Sequence, residues 1–187
     1  EECSVPLTVG GGITSLDDIV ALLLAGADKV AINSNAFGDP DLIDRAAARF
    51  GAQCVVASID ALRHTGGHYS CRSRSGSFET GREPLAWARE LANRGAGEIL
   101  LTSVDRDGTM SGYDLALIEQ VAAAVEVPVI ASGGAGNYAH MVAAVQQAGA
   151  SAVAAASMFH FTEQTPAGAK QALHTAGIRV RQNFVSV

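Results

Sequence analysis

The chain repeats part of itself, and the separation of the two copies limits the folds open to it. Pro6-Leu7-Thr8-Val9-Gly10-Gly11-Gly12-Ile13 has a counterpart in Pro128-Val129-Ile130-Ala131-Ser132-Gly133-Gly134-Ala135. Further on, Gly26-Ala27 recurs as Gly149-Ala150, Val30-Ala31 as Val153-Ala154, and Ser34 as Ser157. Gly12 to Gly134 and Ser34 to Ser157 are separations of 122 and 123 residues. A strand, a glycine turn, a helix and a second strand returning at a nearly constant spacing mark a duplication. In each copy a short apolar run ends in glycines whose N–H groups can approach an anion closely, ahead of a helix. Two such turns imply a ligand with two phosphates or two halves of one duplicated fold.

Between and around the copies, strand and helix patterns alternate. Strands are expected at Leu7–Val9, Lys29–Asn33, Cys54–Asp60, Glu98–Ser103, Val129–Ser132 and Ala152–Ala155. Cys54–Asp60 is an apolar run of the kind buried on both faces. Helices follow from Ser15 with Asp18 as a capping pair, from Asp39-Pro40, and over Pro84–Arg94, Asp114–Val125, Tyr138–Ala148 and Pro166–Ala176, before a tail Val180–Val187. The polar stretch Arg63–Gly81 is the one long excursion, with a small hairpin of His68–Arg74 and Ser77–Thr80, and reads as a functional lid.

The second copy is preceded by two strand–helix units from near Cys54, and the first copy by none. Matching halves need about 70 further residues upstream, which brings six βα units to the eight of a closed (β/α)8 barrel. The expected fold is therefore an α/β TIM barrel of two half-barrels, with six of eight units here and the first two missing. Residues 1–187 form one partial domain, 1–51 the remainder of the first half and 52–187 the second. An open sheet of this kind is expected to be poorly stable as an isolated monomer.

Abundant small residues and 48% hydrophobic content suit helices packed on a sheet, and a net charge of −6 leaves no nucleic-acid footprint. No run reaches membrane-spanning length, and no signal peptide is evident, so a cytoplasmic location is expected. Cys3, Cys54 and Cys71 are odd in number and unpatterned, as reduced thiols are. The five histidines lack metal spacing, and neither metal nor cofactor is expected. His160 reads as a packed or capping residue, and Trp87 as helix-face packing against the core.

Active sites of such barrels lie at the C-terminal strand ends. Asp60 closes an apolar strand, where partial burial raises a carboxyl pKa toward general acid–base work, and is the candidate catalytic residue. Gly133, Gly134 and Ser157, with donors from Asp107 and Gly108, are candidates for one phosphate; Gly12, Asn33 and Ser34 are the matching set for the other. Thr102, Ser103 and Ser132 are expected in the substrate pocket between them. Lys29 and Glu98 open their strands, at the opposite, stability-bearing face.

The segments Leu7–Ile13, Gly26–Ser34, Gly97–Asp114, Val129–Gly136 and Ala155–Phe161 together resemble the cyclase subunit of imidazole glycerol phosphate synthase, of histidine biosynthesis. The run Ile99-Leu100-Leu101-Thr102-Ser103-Val104-Asp105-Arg106-Asp107-Gly108-Thr109 carries it most specifically, with Phe159-His160-Phe161 and Ile178-Arg179-Val180-Arg181. The resemblance implies a lyase that takes ammonia from a partner glutaminase in a heterodimer. Its substrate is the bis-phosphorylated formimino aminoimidazole carboxamide ribonucleotide, and its products are imidazole glycerol phosphate and aminoimidazole carboxamide ribotide. Asp60 matches the aspartate of the family's fifth strand; the first-strand aspartate has no counterpart, so this chain alone is expected to be inactive. Lys29 and Glu98 match an ammonia gate and Asp28 a residue facing the glutaminase. Leu62 stands where the family has a lysine. Three other readings share features: an amidino-sugar paralogue, the isomerase of the preceding histidine-pathway step, and a non-catalytic bis-phosphate-binding module.

Overall fold

The computed structural model describes residues 5–181, so Cys3 and most of the expected tail lie outside the described residues. Six parallel strands run in the order β1 (Thr8–Gly10), β2 (Lys29–Ile32), β3 (Val55–Arg63), β6 (Glu98–Ser103), β7 (Val129–Ser132) and β8 (Ala152–Val153). Helices separate them: α1 (Leu16–Leu24), α3 (Asp41–Phe50), α4 (Pro84–Asn93), α5 (Leu115–Ala122), α6 (Tyr138–Gln146) and α8 (Pro166–Thr175). The curled parallel sheet with alternating helices has the architecture of a (β/α)8-type fold. The lid stretch forms an antiparallel hairpin of β4 (Tyr69–Ser73) and β5 (Phe78–Glu79), with β4 paired to the extended end of β3.

The two sheet faces differ. Val30, Ile32, Val55, Ala57, Ile59, Ile99, Leu101, Val129 and Ala131 alternate along their strands and are buried beneath the helices, forming the core. The opposite, inner face carries Lys29, Ala31, Ser58, Asp60, Glu98, Leu100, Thr102, Ile130 and Ser132, which are only half-buried. The expectation that the third strand is buried on both faces therefore holds for its first residues alone. Beyond Ala57 it alternates, and its half-buried side bears polar groups.

Two short helices were not expected: α2 (Ser34–Gly38) and α7 (Ser157–Phe161). They occupy equivalent places in the repeat and begin alike, since the residues before them, Asn33 (φ −120°, ψ −90°) and Ala156 (φ −126°, ψ −65°), share an unusual backbone conformation. Five residues are too few for periodicity to announce a helix. Ser15 and Asp18 form the expected reciprocal cap of α1. Trp87 is buried in α4, stacked on Phe37 at 5.0 Å, with the Arg82 guanidinium 4.4 Å above its ring. His160 is exposed rather than packed.

Cys71 lies wholly buried in β4, and burial pushes its thiol up to about 12, with Asp60 and Glu83 adding to the rise against Arg82. A thiol so protonated and enclosed is a poor nucleophile. Native protein at neutral pH is expected to leave Cys71 unmodified by an aromatic disulfide reagent, with its reaction appearing only on unfolding; peptide mapping reads the difference.

Candidate functional site

The polar strand ends other than Ser103 converge on one rim, where the fold leaves two glycine-lined cavities with a carboxylate on the wall of the larger. The first, about 770 Å³, is lined by Gly10, Gly11, Gly12, Asn33, Ser34, Ser58 and Asp60 among others. The second, about 150 Å³, is lined by Asp107, Gly108, Ser132, Gly133, Gly134 and Ser157 with neighbouring alanines. Every expected phosphate-binding residue thus borders one cavity or the other, in the two sets the repeat predicts.

The strand order sets the distance between them. The glycine turn of the first cavity lies at the β1 end and that of the second at the β7 end, with serines following at the β2 and β8 ends and β3 and β6 in the middle. Four interstrand steps make about 20 Å along the curved sheet. Asp60 on β3 stands beside Thr102 on β6, and Thr102 beside Ser132 on β7. These three form a polar row across the inner face that runs from the first cavity, which Asp60 lines, to the second, which Ser132 lines.

Asp60 is held with care. Asn33 Nδ2 donates to its Oδ2 at 2.8 Å. Burial raises the Asp60 carboxyl above its ordinary value; the Asn33 bond opposes the rise, and the charge of Asp107 adds to it. The rise is in the direction that favours a carboxyl able to hold a proton. Asn33 therefore orients Asp60 as well as bordering the cavity. Its Oδ1 is buried without a hydrogen-bond partner. Turning the amide over lets that oxygen accept from a protonated Asp60, so one side chain serves both protonation states.

The first glycine turn is built differently from the expectation. The N-terminus of α1 is already occupied by Asp18, whose carboxylate accepts from Thr14 N (2.8 Å) and Ser15 N (2.9 Å). An anion at Gly12 therefore relies on the loop itself. No atom lies within 4 Å of where a side chain on Gly11 or Gly12 would begin, so their open sides adjoin free space. At the second turn the glycines are demanded by packing, because a Cβ on Gly133 would stand 2.6 Å from Ser103 O and one on Gly134 2.3 Å from Gly112 O.

Ser103 is turned away from Thr102 and Ser132: it is buried toward the helices, and its hydroxyl donates to Asp105 at 3.2 Å. The alternation of β6 gives this sidedness, with Thr102 facing in and Ser103 out. At the opposite rim Lys29 Nζ and Glu98 pair across the inner face, each about a quarter exposed (30% and 24%). Asp28 is exposed beside them and accepts from Leu7 N at 2.7 Å.

Residues 1–165 match the family described as histidine biosynthesis protein. A relative from Hyphomonas neptunium, imidazole glycerol phosphate synthase subunit HisF, is 56% identical over 181 residues, or 97% of this chain and 71% of the relative. This chain belongs to the HisF family. The assignment agrees with the family resemblance read from the Ile99–Thr109 run, and the relative's name makes it one subunit of a larger enzyme.

Against the HisF assignment, the site holds residues the sequence reading passed over. Ser58 lies two residues before Asp60, and Leu100 two before Thr102, so period-two alternation was the signal for both. Arg74 and Ser75, at the tip of the β4–β5 hairpin, also border the first cavity. The excursion was legible as a lid, but nothing local told which of its residues would reach back. Among the described residues no cluster could hold a metal ion, and no helix is long and apolar enough to cross a membrane.

Proposed function

We propose that this HisF-family chain carries the cyclase site of a cytoplasmic imidazole glycerol phosphate synthase, a lyase of histidine biosynthesis. In this reading it converts the bis-phosphorylated formimino aminoimidazole carboxamide ribulosyl nucleotide and ammonia into imidazole glycerol phosphate and aminoimidazole carboxamide ribotide. The observation that carries it is the half-buried Asp60 carboxyl, raised above its ordinary value, on the wall of one of two glycine-lined cavities and joined to the other by the Thr102–Ser132 row. A ligand with a phosphate at each end spans the rim, Gly12 and Ser34 holding one end, Gly108, Gly133, Gly134 and Ser157 the other. The reacting atoms then lie over Asp60, Thr102 and Ser132. Attack of ammonia, ring closure and release of the carboxamide ribotide each move protons, and Asp60 is the group poised to carry them.

The Lys29–Glu98 pair gives the reading its second half. Two oppositely charged groups meet on the inner face at the rim away from the site, where a neutral molecule entering along the barrel axis has to pass. Asp28 beside them faces outward, toward the glutaminase subunit proposed as partner. The test is product formation from the bis-phosphorylated nucleotide, followed by mass spectrometry, with either ammonium or glutamine plus glutaminase as nitrogen source. With the family's first-strand aspartate supplied, both products are expected from both sources, and residues 1–187 alone are expected to form neither. Lys29→Ala is expected to lower glutamine-driven turnover several-fold more than ammonium-driven turnover. Tight binding of the nucleotide with no product from either source would replace this reading with a bis-phosphate-binding module.

A further inference from the structure

The hairpin that crosses the first cavity ends in a turn of unusual backbone. Arg74 and Ser75 sit at φ 51° and 55°, followed by Gly76 at φ 81°. Side-chain-bearing residues rarely adopt such angles, and two in succession persist only where surrounding contacts impose them. One such contact is on hand: the Arg74 main-chain N–H donates to Ser34 Oγ at 2.9 Å, across 40 residues of sequence. The tip is thereby pinned to the residue that the repeat marks as a phosphate ligand.

This bond fixes what Ser34 can do. A hydroxyl oxygen has two lone pairs and one proton. With Arg74 N–H on the oxygen, the Ser34 proton is left to donate, and accepting polarises the hydroxyl so that it donates more strongly. Ser34, Gly11, Gly12, Arg74 and Ser75 all border the same 770 Å³ cavity.

The Arg74 side chain is held only weakly. Its guanidinium lies 5.5 Å from the centre of the Phe78 ring, and no carboxylate lies within ion-pair distance among the described residues. Arg72, on the same hairpin, is by contrast committed to Glu79 at 3.2 Å and Gly76 O at 3.1 Å. Phe78 is 55% exposed, so leaving its face uncovers little that was dry. A cation over an exposed aromatic ring is a weaker partner than a phosphate dianion taken by a guanidinium fork.

We propose that Arg74 is an additional phosphate-binding residue of the first cavity, its main-chain N–H setting Ser34 as a donor and its guanidinium moving from the Phe78 ring onto the phosphate. The inference rests on the bis-phosphate reading of the site and extends it by making the hairpin part of the phosphate grip. The phosphate is then met from below by the Gly11–Gly12 loop and from above by the hairpin tip. Loss of water around it strengthens each of these bonds.

The experiment titrates the protein with a bis-phosphorylated pentose, alongside Arg74→Gly and Arg74→Gln, with a thermal melt of each. Glycine keeps the main-chain N–H and accepts the positive φ, so the bond to Ser34 is retained while the guanidinium is lost. Glutamine removes the charge while keeping a long side chain at the same backbone strain. Both variants are expected to weaken binding by at least about tenfold, with melting at or above the wild-type temperature for Arg74→Gly. A folded variant that binds within twofold of wild type overturns the inference. Absence of binding by the wild-type protein is a different result, and it removes the bis-phosphate reading beneath it.

Discussion

Asp60→Asn is expected to lower ammonium-driven turnover by about a hundred- to ten-thousandfold while leaving affinity for the bis-phosphorylated nucleotide within a few-fold. The substitution preserves shape, and the Asn33 amide can still donate to the new side-chain oxygen where it now donates to Oδ2 at 2.8 Å. What it removes is the capacity to hold and release a proton. On the proposed reading, phosphate is held by the glycine loop of each cavity; Asp60 borders the first, but a carboxylate offers a phosphate no donor. A kcat loss with little change in binding is the signature of a group that acts in the reaction rather than in capture.

The pH profile sharpens the expectation. Burial and the Asp107 charge both raise the Asp60 carboxyl above its ordinary value, against the Asn33 bond. If its carboxylate is the working form, the rate falls as pH drops through that raised value, and the acid limb of kcat/KM lies higher than for an exposed aspartate. Asp107→Asn takes away one of the raising causes, so the limb moves to lower pH. A limb that stays in place, or an Asp60→Asn enzyme retaining a tenth of the wild-type rate, would remove Asp60 from the chemistry.

The repeat made most of the site legible, because duplication fixes spacing and spacing fixes which strand ends coincide. Gly12 with Ser34, and Gly134 with Ser157, border paired cavities at corresponding strand ends. Sidedness was the harder matter. Thr102 and Ser103 are equally polar neighbours, yet a strand presents one to the rim and the other to the helices, and the strand's phase was set by burial of Ile99 and Leu101. Asn33 as the partner of Asp60 depends on β2 and β3 lying side by side, a contact 27 residues apart that no local pattern encodes. The same holds for the Arg74–Ser34 bond. Residues acting within one strand or turn were readable, whereas those meeting across the fold needed the fold.

The two glycine turns look alike in sequence and are expected to respond differently to alanine. Gly12 has φ 69°, close to the left-handed region that a side chain can enter, and nothing lies within 4 Å of the added Cβ. Gly12→Ala is expected to lower stability by only about 1–2 kcal/mol, the steric penalty of that conformation. Gly134 has φ 100°, outside that region, and its Cβ would stand 2.3 Å from Gly112 O and 3.1 Å from the Arg106 Cβ. Gly112 N donates to Gly134 O at 2.7 Å, so the two loops cannot separate to make room without breaking the bond that joins them. Backbone strain, overpacking and a lost hydrogen bond then act together, and Gly134→Ala is expected to destabilise by about 3–5 kcal/mol. That is a large part of the stability of a domain this size. Urea unfolding midpoints of the two variants measure the difference. Equal midpoints would mean that the Gly112–Gly134 contact is soft, and that the glycines of both turns serve the ligand alone; a midpoint for Gly134→Ala far below that of Gly12→Ala means the second cradle is built on loop-to-loop packing, with room for the anion left at Gly108, where no neighbour lies within 4 Å of an added Cβ.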